Sequence, residues 1–168
     1  MGAVLPLKKE INNSYLELKN LVGNKLDNVN QQIKYKLASE INLIHKMTNY
    51  HFKSGGKRIR PLLTLASAKL CGYINGNRDV NLAACVELIH NATLLHDDVI
   101  DNSYLRRGIK TSNTIWGNQS SILVGDYLFS RCFEMMVADG SQEILKLLSS
   151  TSSKIAQGEI LQLEYKGE

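Results

Sequence analysis

The run His90-Asn91-Ala92-Thr93-Leu94-Leu95-His96-Asp97-Asp98-Val99-Ile100-Asp101, followed by Arg106-Arg107-Gly108, places three carboxylates and two guanidiniums close together. On a helix, at about 100° per residue, His90, Asp97 and Asp101 fall within about 40° of one another, with Asp98 about 60° further round. Carboxylates crowded in this way repel, and a fold keeps them adjacent only with a positive partner between them. Mg²⁺ suits that role: it prefers hard oxygens, keeps several waters, and is usually held by one or two carboxylates plus substrate phosphates. Arg106 and Arg107 would then grip phosphate oxygens that the metal leaves free. A solvated acidic helix end followed by a basic loop is the competing reading. It is disfavoured because the acids follow Ala83-Ala84-Cys85-Val86 and Leu94-Leu95 and continue a stripe that should face a core.

A second anion signal lies upstream at Ser54-Gly55-Gly56-Lys57-Arg58-Ile59-Arg60-Pro61, a glycine turn, basic residues, and a proline suited to a first helical turn. It is not a P-loop, since Arg58 rather than Ser or Thr follows Lys57. Together the two segments suggest two phosphorylated substrates, one held by metal and one by basic side chains.

The elements that must position these residues read as helices throughout. Ile11, Tyr15, Leu18, Leu21 or Val22, Leu26, Val29 and Ile33 recur at three-to-four spacing, and a second stripe follows at Leu37, Ile41, Ile44 and Met47. Further helices are expected at about residues 61–71, 79–103, 119–138 and 141–165, with breaks at Gly72, Gly76, Gly108, Gly117 and Gly140. Thr111-Ser112-Asn113-Thr114 reads as a polar loop or cap before Trp116. Strand-type alternation is scarce, and no repeat or linker is visible. The expected fold is all-α, an antiparallel helix bundle with its site built from facing helices, in a single domain over 1–168.

These motifs resemble those of a known family. Gly55-Gly56-Lys57-Arg58-Ile59-Arg60-Pro61, Glu87-Leu88-Ile89-His90 and Asp97-Asp98-x-x-Asp101 with Arg106-Arg107-Gly108 are similar to motifs of the trans-prenyltransferases. Ile122-Leu123-Val124-Gly125-Asp126-Tyr127-Leu128 and Ala156-Gln157-Gly158-Glu159 extend the likeness. It is nearest to the long-chain octaprenyl diphosphate synthase type, and it is weak before about Asn49. The resemblance implies the isoprenoid synthase bundle. It implies that Asp97, Asp98 and Asp101 hold Mg²⁺ on an allylic diphosphate, with Arg106 on the same diphosphate and Gln157 beside the allylic group. Lys57, Arg60, His90 and Arg107 would bind isopentenyl diphosphate. Ionisation of the allylic carbon–oxygen bond, attack by the isopentenyl double bond and proton loss would then extend an all-trans polyprenyl chain, as in the making of quinone side chains. Ala92 and Thr93, one turn before Asp97, would face that chain, and neither is a ring that blocks it.

Full-length members carry a second aspartate-rich motif, and no second Asp-Asp-x-x-Asp occurs in this sequence. The expectation is a truncated bundle without synthase activity on its own, completed as a homodimer or by a complementary C-terminal fragment. A non-enzymatic reading, a partner subunit or remnant of a synthase, stays beside it. A distant alternative is a His-Asp type metal phosphohydrolase, built on His96-Asp97 with His45, His51, His90 and Asp126. His45 and His51 are better read as solvated or packed residues, and Asp126 as a buried or half-buried structural acid. Tyr127, Phe129, Phe133, Met135 and Met136 read as core or subunit-contact residues.

Composition narrows the classes further. A length of 168 residues supports one sizeable core. The net charge of +4 is spread along the chain, giving no support for nucleic-acid binding. Cys71, Cys85 and Cys132 are scattered without Cys-x-x-Cys spacing, which suggests reduced thiols and a cytoplasmic location. No targeting or membrane-spanning stretch is evident, and Pro6 lies where a myristoylation signal needs Ser or Thr. A long polyprenyl product would still allow peripheral membrane contact.

Overall fold

The computed structural model describes residues 5–53 and 55–166, with side chains between residues 13 and 165 apart from Ser54. Among these residues the order is α1 (Leu5–Val22), α2 (Lys25–Lys36), α3 (Asn42–Lys53), α4 (Ile59–Leu70), α5 (Arg78–Ile100), a hairpin of β1 (Leu105–Arg106) and β2 (Ile109–Lys110), α6 (Ser112–Trp116), α7 (Asn118–Asp139) and α8 (Gln142–Lys166). The all-helical expectation holds.

The 23-residue α5 is the hub, packed against α2, α4 and α7. Ala83, Ala84, Cys85, Leu88 and Ala92 are fully buried, and Leu95 nearly so. Small side chains on several faces let three helices approach at once. From α7, Val124, Leu128, Cys132, Met135 and Met136 meet it at three-to-four spacing, while Leu26, Val29 and Ile33 come from α2. Each buried leucine of this kind contributes about 1.5–3 kcal/mol relative to exposure. In the buried part of the α5–α7 seam, Ser121 donates from Oγ to the Leu95 carbonyl at 2.9 Å.

Several boundaries differ from the sequence expectation. The first apolar stripe is split into α1 and α2, because Gly23 takes φ +56° and turns the chain. The side chain of Ile11, which opened that stripe, lies outside the described residues. Helix α4 begins two residues before Pro61, and α5 stops at Ile100 rather than 103, with Asp101 as its C-cap and Asn102 at φ +49°. The break at Gly108 is a two-residue hairpin turn, with Arg107 at φ +53° and Gly108 at φ +81°. Arg-Gly is not the usual Asn-Gly signal, so nothing local announced strands. Of the two readings of Thr111-Ser112-Asn113-Thr114, loop or cap, the cap holds at Thr111, the N-cap residue of the short α6, which spends its hydroxyl on the Ser103 carbonyl.

Helix α8 is the exception to good burial. Leu145 and Leu148 lean on the core, but Leu147, Ile160 and Leu161 are at least half exposed.

Candidate functional site

The loop before α4 turns at Gly55, φ +73°, and enters the helix through Arg58, itself left-handed at φ +49°. The Arg58 guanidinium points inward. Its Nη1 donates to Glu87 Oε1 at 2.6 Å, and the group lies 5.3 Å from the Phe52 ring centroid. A buried pair of this kind is weak support for stability as a whole but strongly penalises losing one partner. It ties the loop to α5. From the hairpin, Arg107 donates to the Gly55 carbonyl, and a Cβ on Gly56 would stand 2.8 Å from Arg107 Nη1. Two basic segments some fifty residues apart thus meet.

Between them is a cavity of about 540 Å³ whose walls include Lys57, Arg60, His90, Arg106 and Arg107. With Arg58, whose charge is paired with Glu87, five cations line this space, a chemistry suited to an anion. Burial lowers the pKa of His90, and the Arg60 charge lowers it further. His51 also lines this cavity; burial, the dominant cause, brings its pKa down to about 4.

A second cavity, about 750 Å³, lies between α5, α7 and α8. Its lining is mostly apolar, including Val86, Ile89, Phe129, Ile155 and Leu163, with Asp97 and Glu159 among it. Arg60, His90 and Leu94 belong to both cavities. The arrangement is that of an amphiphile site, charged head to one side and apolar tail to the other.

The acids divide. Burial raises the pKa of Asp97, and the carboxylates of Glu159 and then Asp101 raise it further. Asp98 turns inward and is nearly fully buried, its Oδ1 accepting from Arg106 Nε at 2.9 Å and Nη2 at 2.7 Å. Among the described residues no three carboxylate, imidazole or thiol groups converge closely enough to hold a metal ion. The acids whose charges crowd one another, Asp97, Asp101 and Glu159, are hard oxygen donors suited to a divalent cation that takes its remaining ligands from water and substrate. Their repulsion is what such a cation would relieve.

The structure therefore brings Lys57, Arg60, His90, Arg106 and Arg107 to one cavity and puts Thr93 and Asp97 in the other. Ala92 is fully buried and lines neither, and Gln157 is exposed and also lines neither. His51, Asn91 and Glu159 also line these cavities, and the sequence reading gave none of them a part in a diphosphate site. Glu159 had a signal, since it lies at i+3 and i+4 from Ala156 and Ile155 on the cavity face of α8. His51 had none.

Asp126 is a correction: its side chain is 61% exposed, because its position on α7 points past α5 rather than into it. His96 meets it, with Nε2 3.4 Å from Asp126 Oδ1 and 3.1 Å from the Ile122 carbonyl. His96 and His51 thus face different surroundings, and the hydrolase constellation does not assemble. Met135 and Met136 are core and Tyr127 and Phe129 pack against it, whereas Phe133 is more than half exposed.

Comparison with known proteins gives a consistent family. The family model for polyprenyl synthetase matches residues 41–168. The octaprenyl diphosphate synthase of Escherichia coli (strain K12) is 44% identical over 147 residues, 88% of this chain and 45% of that protein. Component 2 of the heptaprenyl diphosphate synthase of Geobacillus stearothermophilus is 36% identical over 138 residues, covering 82% and 43%. Among solved structures, a polyprenyl synthase from Caulobacter crescentus CB15, complexed with calcium and isoprenyl diphosphate, superposes with TM-score 0.85 at 44% identity. That match covers 89% of this chain and 45% of the other. A decaprenyl diphosphate synthase from Rhodobacter capsulatus gives 0.84 at 45% identity, covering 89% and 46%. The chain spans under half the length of the curated relatives it matches.

Proposed function

The chain belongs to the polyprenyl synthetase family, and on that premise we propose that it forms, as one domain, the part of a long-chain all-trans polyprenyl diphosphate synthase that seats both diphosphates. The observation that carries this reading is the pair of cavities sharing Arg60, His90 and Leu94, one lined by cations and the other apolar with Asp97 on its wall. An allylic diphosphate fits across such a boundary, its diphosphate toward the charged side and its prenyl chain between α5, α7 and α8. Isopentenyl diphosphate fits the basic cavity, on Lys57, Arg60, His90 and Arg107.

Asp97 and Asp101, with Asp98 behind them, are the residues to hold Mg²⁺, and Gln157 is assigned to the allylic group in this reading on the resemblance of its motif. A divalent cation bound there supplies charge neutralisation for a departing diphosphate. Arg106 adds fixed positive charge for the electron pair that leaves with the diphosphate. Once a partner polypeptide covers the exposed side of α8, the apolar walls would keep water from the allylic cation until the isopentenyl double bond attacks it, and loss of a proton restores an alkene. Thr93 faces the growing chain and admits a long product.

That the Caulobacter polyprenyl synthase is complexed with calcium and isoprenyl diphosphate supports a cation-assisted diphosphate site in this fold. That a relative bears the name of one component of a synthase supports a partner polypeptide, a second copy or a complementary C-terminal fragment. No helix among the described residues is long and apolar enough to cross a membrane; we place the protein in the cytoplasm on its three free cysteines, with membrane contact made through the product.

Titrating farnesyl thiodiphosphate, whose carbon–sulfur bond ionises slowly, into the chain tests the reading. Binding should require Mg²⁺ and weaken at least about tenfold in Asp97→Ala, the loss expected for a charge-assisted contact. Equal binding with and without Mg²⁺ would sink it.

A further inference from the structure

The glycine loop that carries Lys57 has no hydrogen-bond ladder of its own, since residues 55–58 lie outside any helix or strand. Its place is set by outside anchors. Two have been described, Arg107 on the Gly55 carbonyl and Arg58 on Glu87. The third comes from α1: the Tyr15 hydroxyl donates to the Lys57 carbonyl at 3.1 Å, and Lys57 Nζ lies 5.8 Å from the Tyr15 ring centroid. One side chain therefore holds Lys57 at both ends, by its backbone and by its ammonium.

Resting on the diphosphate reading above, we infer that Tyr15 is a positioning residue for diphosphate binding, fixing the Lys57 loop and ammonium at the edge of the basic cavity. Lysine is a flexible point charge on a four-carbon stem, and ordering it at the moment of binding weakens the complex. A ring face within about 6 Å attracts the ammonium and narrows its range beforehand. The neighbouring turn of α1 supplies the support: Tyr15 and Leu18 both pack against the core, and α1 contacts α4, the helix that follows the loop. Tyr15 precedes residue 41, where the family match begins, so this anchor belongs to a part of the chain that the family model does not reach.

The test is a binding cycle with inorganic pyrophosphate, followed by calorimetry, on the wild-type chain, Tyr15→Leu, Tyr15→Phe and each of these combined with Lys57→Met. Tyr15→Leu should weaken pyrophosphate about tenfold and Tyr15→Phe, which keeps the ring, about threefold, the range expected for one hydrogen bond and one cation–π contact. In the Lys57→Met background Tyr15→Leu should cost less than about twofold, which mere loosening of the fold would not reproduce. If Tyr15→Leu melts markedly earlier, the Phe variant carries the cycle. Wild-type binding left unchanged by Tyr15→Leu, or weakened equally in both backgrounds, overturns the positioning role alone. No pyrophosphate binding by the wild-type chain overturns the diphosphate reading on which it stands.

Discussion

His51 sits in the wall of the basic cavity with Asn91 as hydrogen-bond partner and with the charges of Asp98, Arg58 and Arg106 around it, and burial holds its pKa down to about 4. The unfolded chain takes up this proton near pH 6.5, the folded chain only near pH 4. Stability from keeping the ring neutral is complete above pH 6.5 and is lost as the pH falls from there toward 4, at most about 3 kcal/mol. Urea denaturation at pH 7 and pH 4.5 should show that loss, and His51→Gln should flatten it. An unchanged pH slope in the variant would rule out His51 as its source. At this scale the sequence was most readable where residue types alone define the chemistry. Lys57, Arg60, His90, Arg106 and Arg107, each singled out in the sequence, line one cavity. Direction could be read only in part: helix geometry sets Asp98 about 60° round from the Asp97 and Asp101 stripe, but not that it turns to Arg106 on the hairpin. Asp126 sits in an apolar run but on the solvent side of α7.

The contact between α5 and α7 depends on Gly125, where a Cβ would come 2.3 Å from His96 Nε2. Replacing glycine by alanine inside a helix normally gains about 1 kcal/mol. Here the His96 ring must swing away from the Ile122 carbonyl and Asp126, which offsets most of that gain. Gly125→Ala should therefore leave the melting temperature nearly unchanged, whereas in a His96→Ala background it should stabilise by about 1 kcal/mol. Equal effects in the two backgrounds would show that the ring does not restrain the helices. Helix existence and order were legible because three-to-four spacing of apolar residues is a strong, local signal. The hairpin and the division between α1 and α2 were not. Both depend on left-handed backbone at single positions, Arg107 and Gly23, which periodicity cannot report.

On the scale of the whole molecule, the tail cavity has walls on α5, α7 and α8, yet Ile160 and Leu163, which line it, are 65% and 51% exposed. An allylic cation there would be open to water. With no second Asp-Asp-x-x-Asp in the sequence, the 168-residue chain alone should give no prenyl incorporation from isopentenyl and allylic diphosphates with Mg²⁺. Radiolabelled incorporation that disappears in Asp97→Ala would contradict this. The architecture was legible from pattern alone, but the two cavities were not, because each is walled by segments distant in the chain. Their common wall has one more consequence. Arg60, His90 and Leu94 face both spaces, so on the two-diphosphate reading proposed above, whatever a head group in one space does to these three side chains is felt by a ligand in the other. Thermodynamic linkage makes that influence mutual: the factor by which the first ligand changes the affinity of the second equals the factor in the opposite direction. Which substrate arrives first then has no bearing on the stability of the ternary complex, only on the route to it.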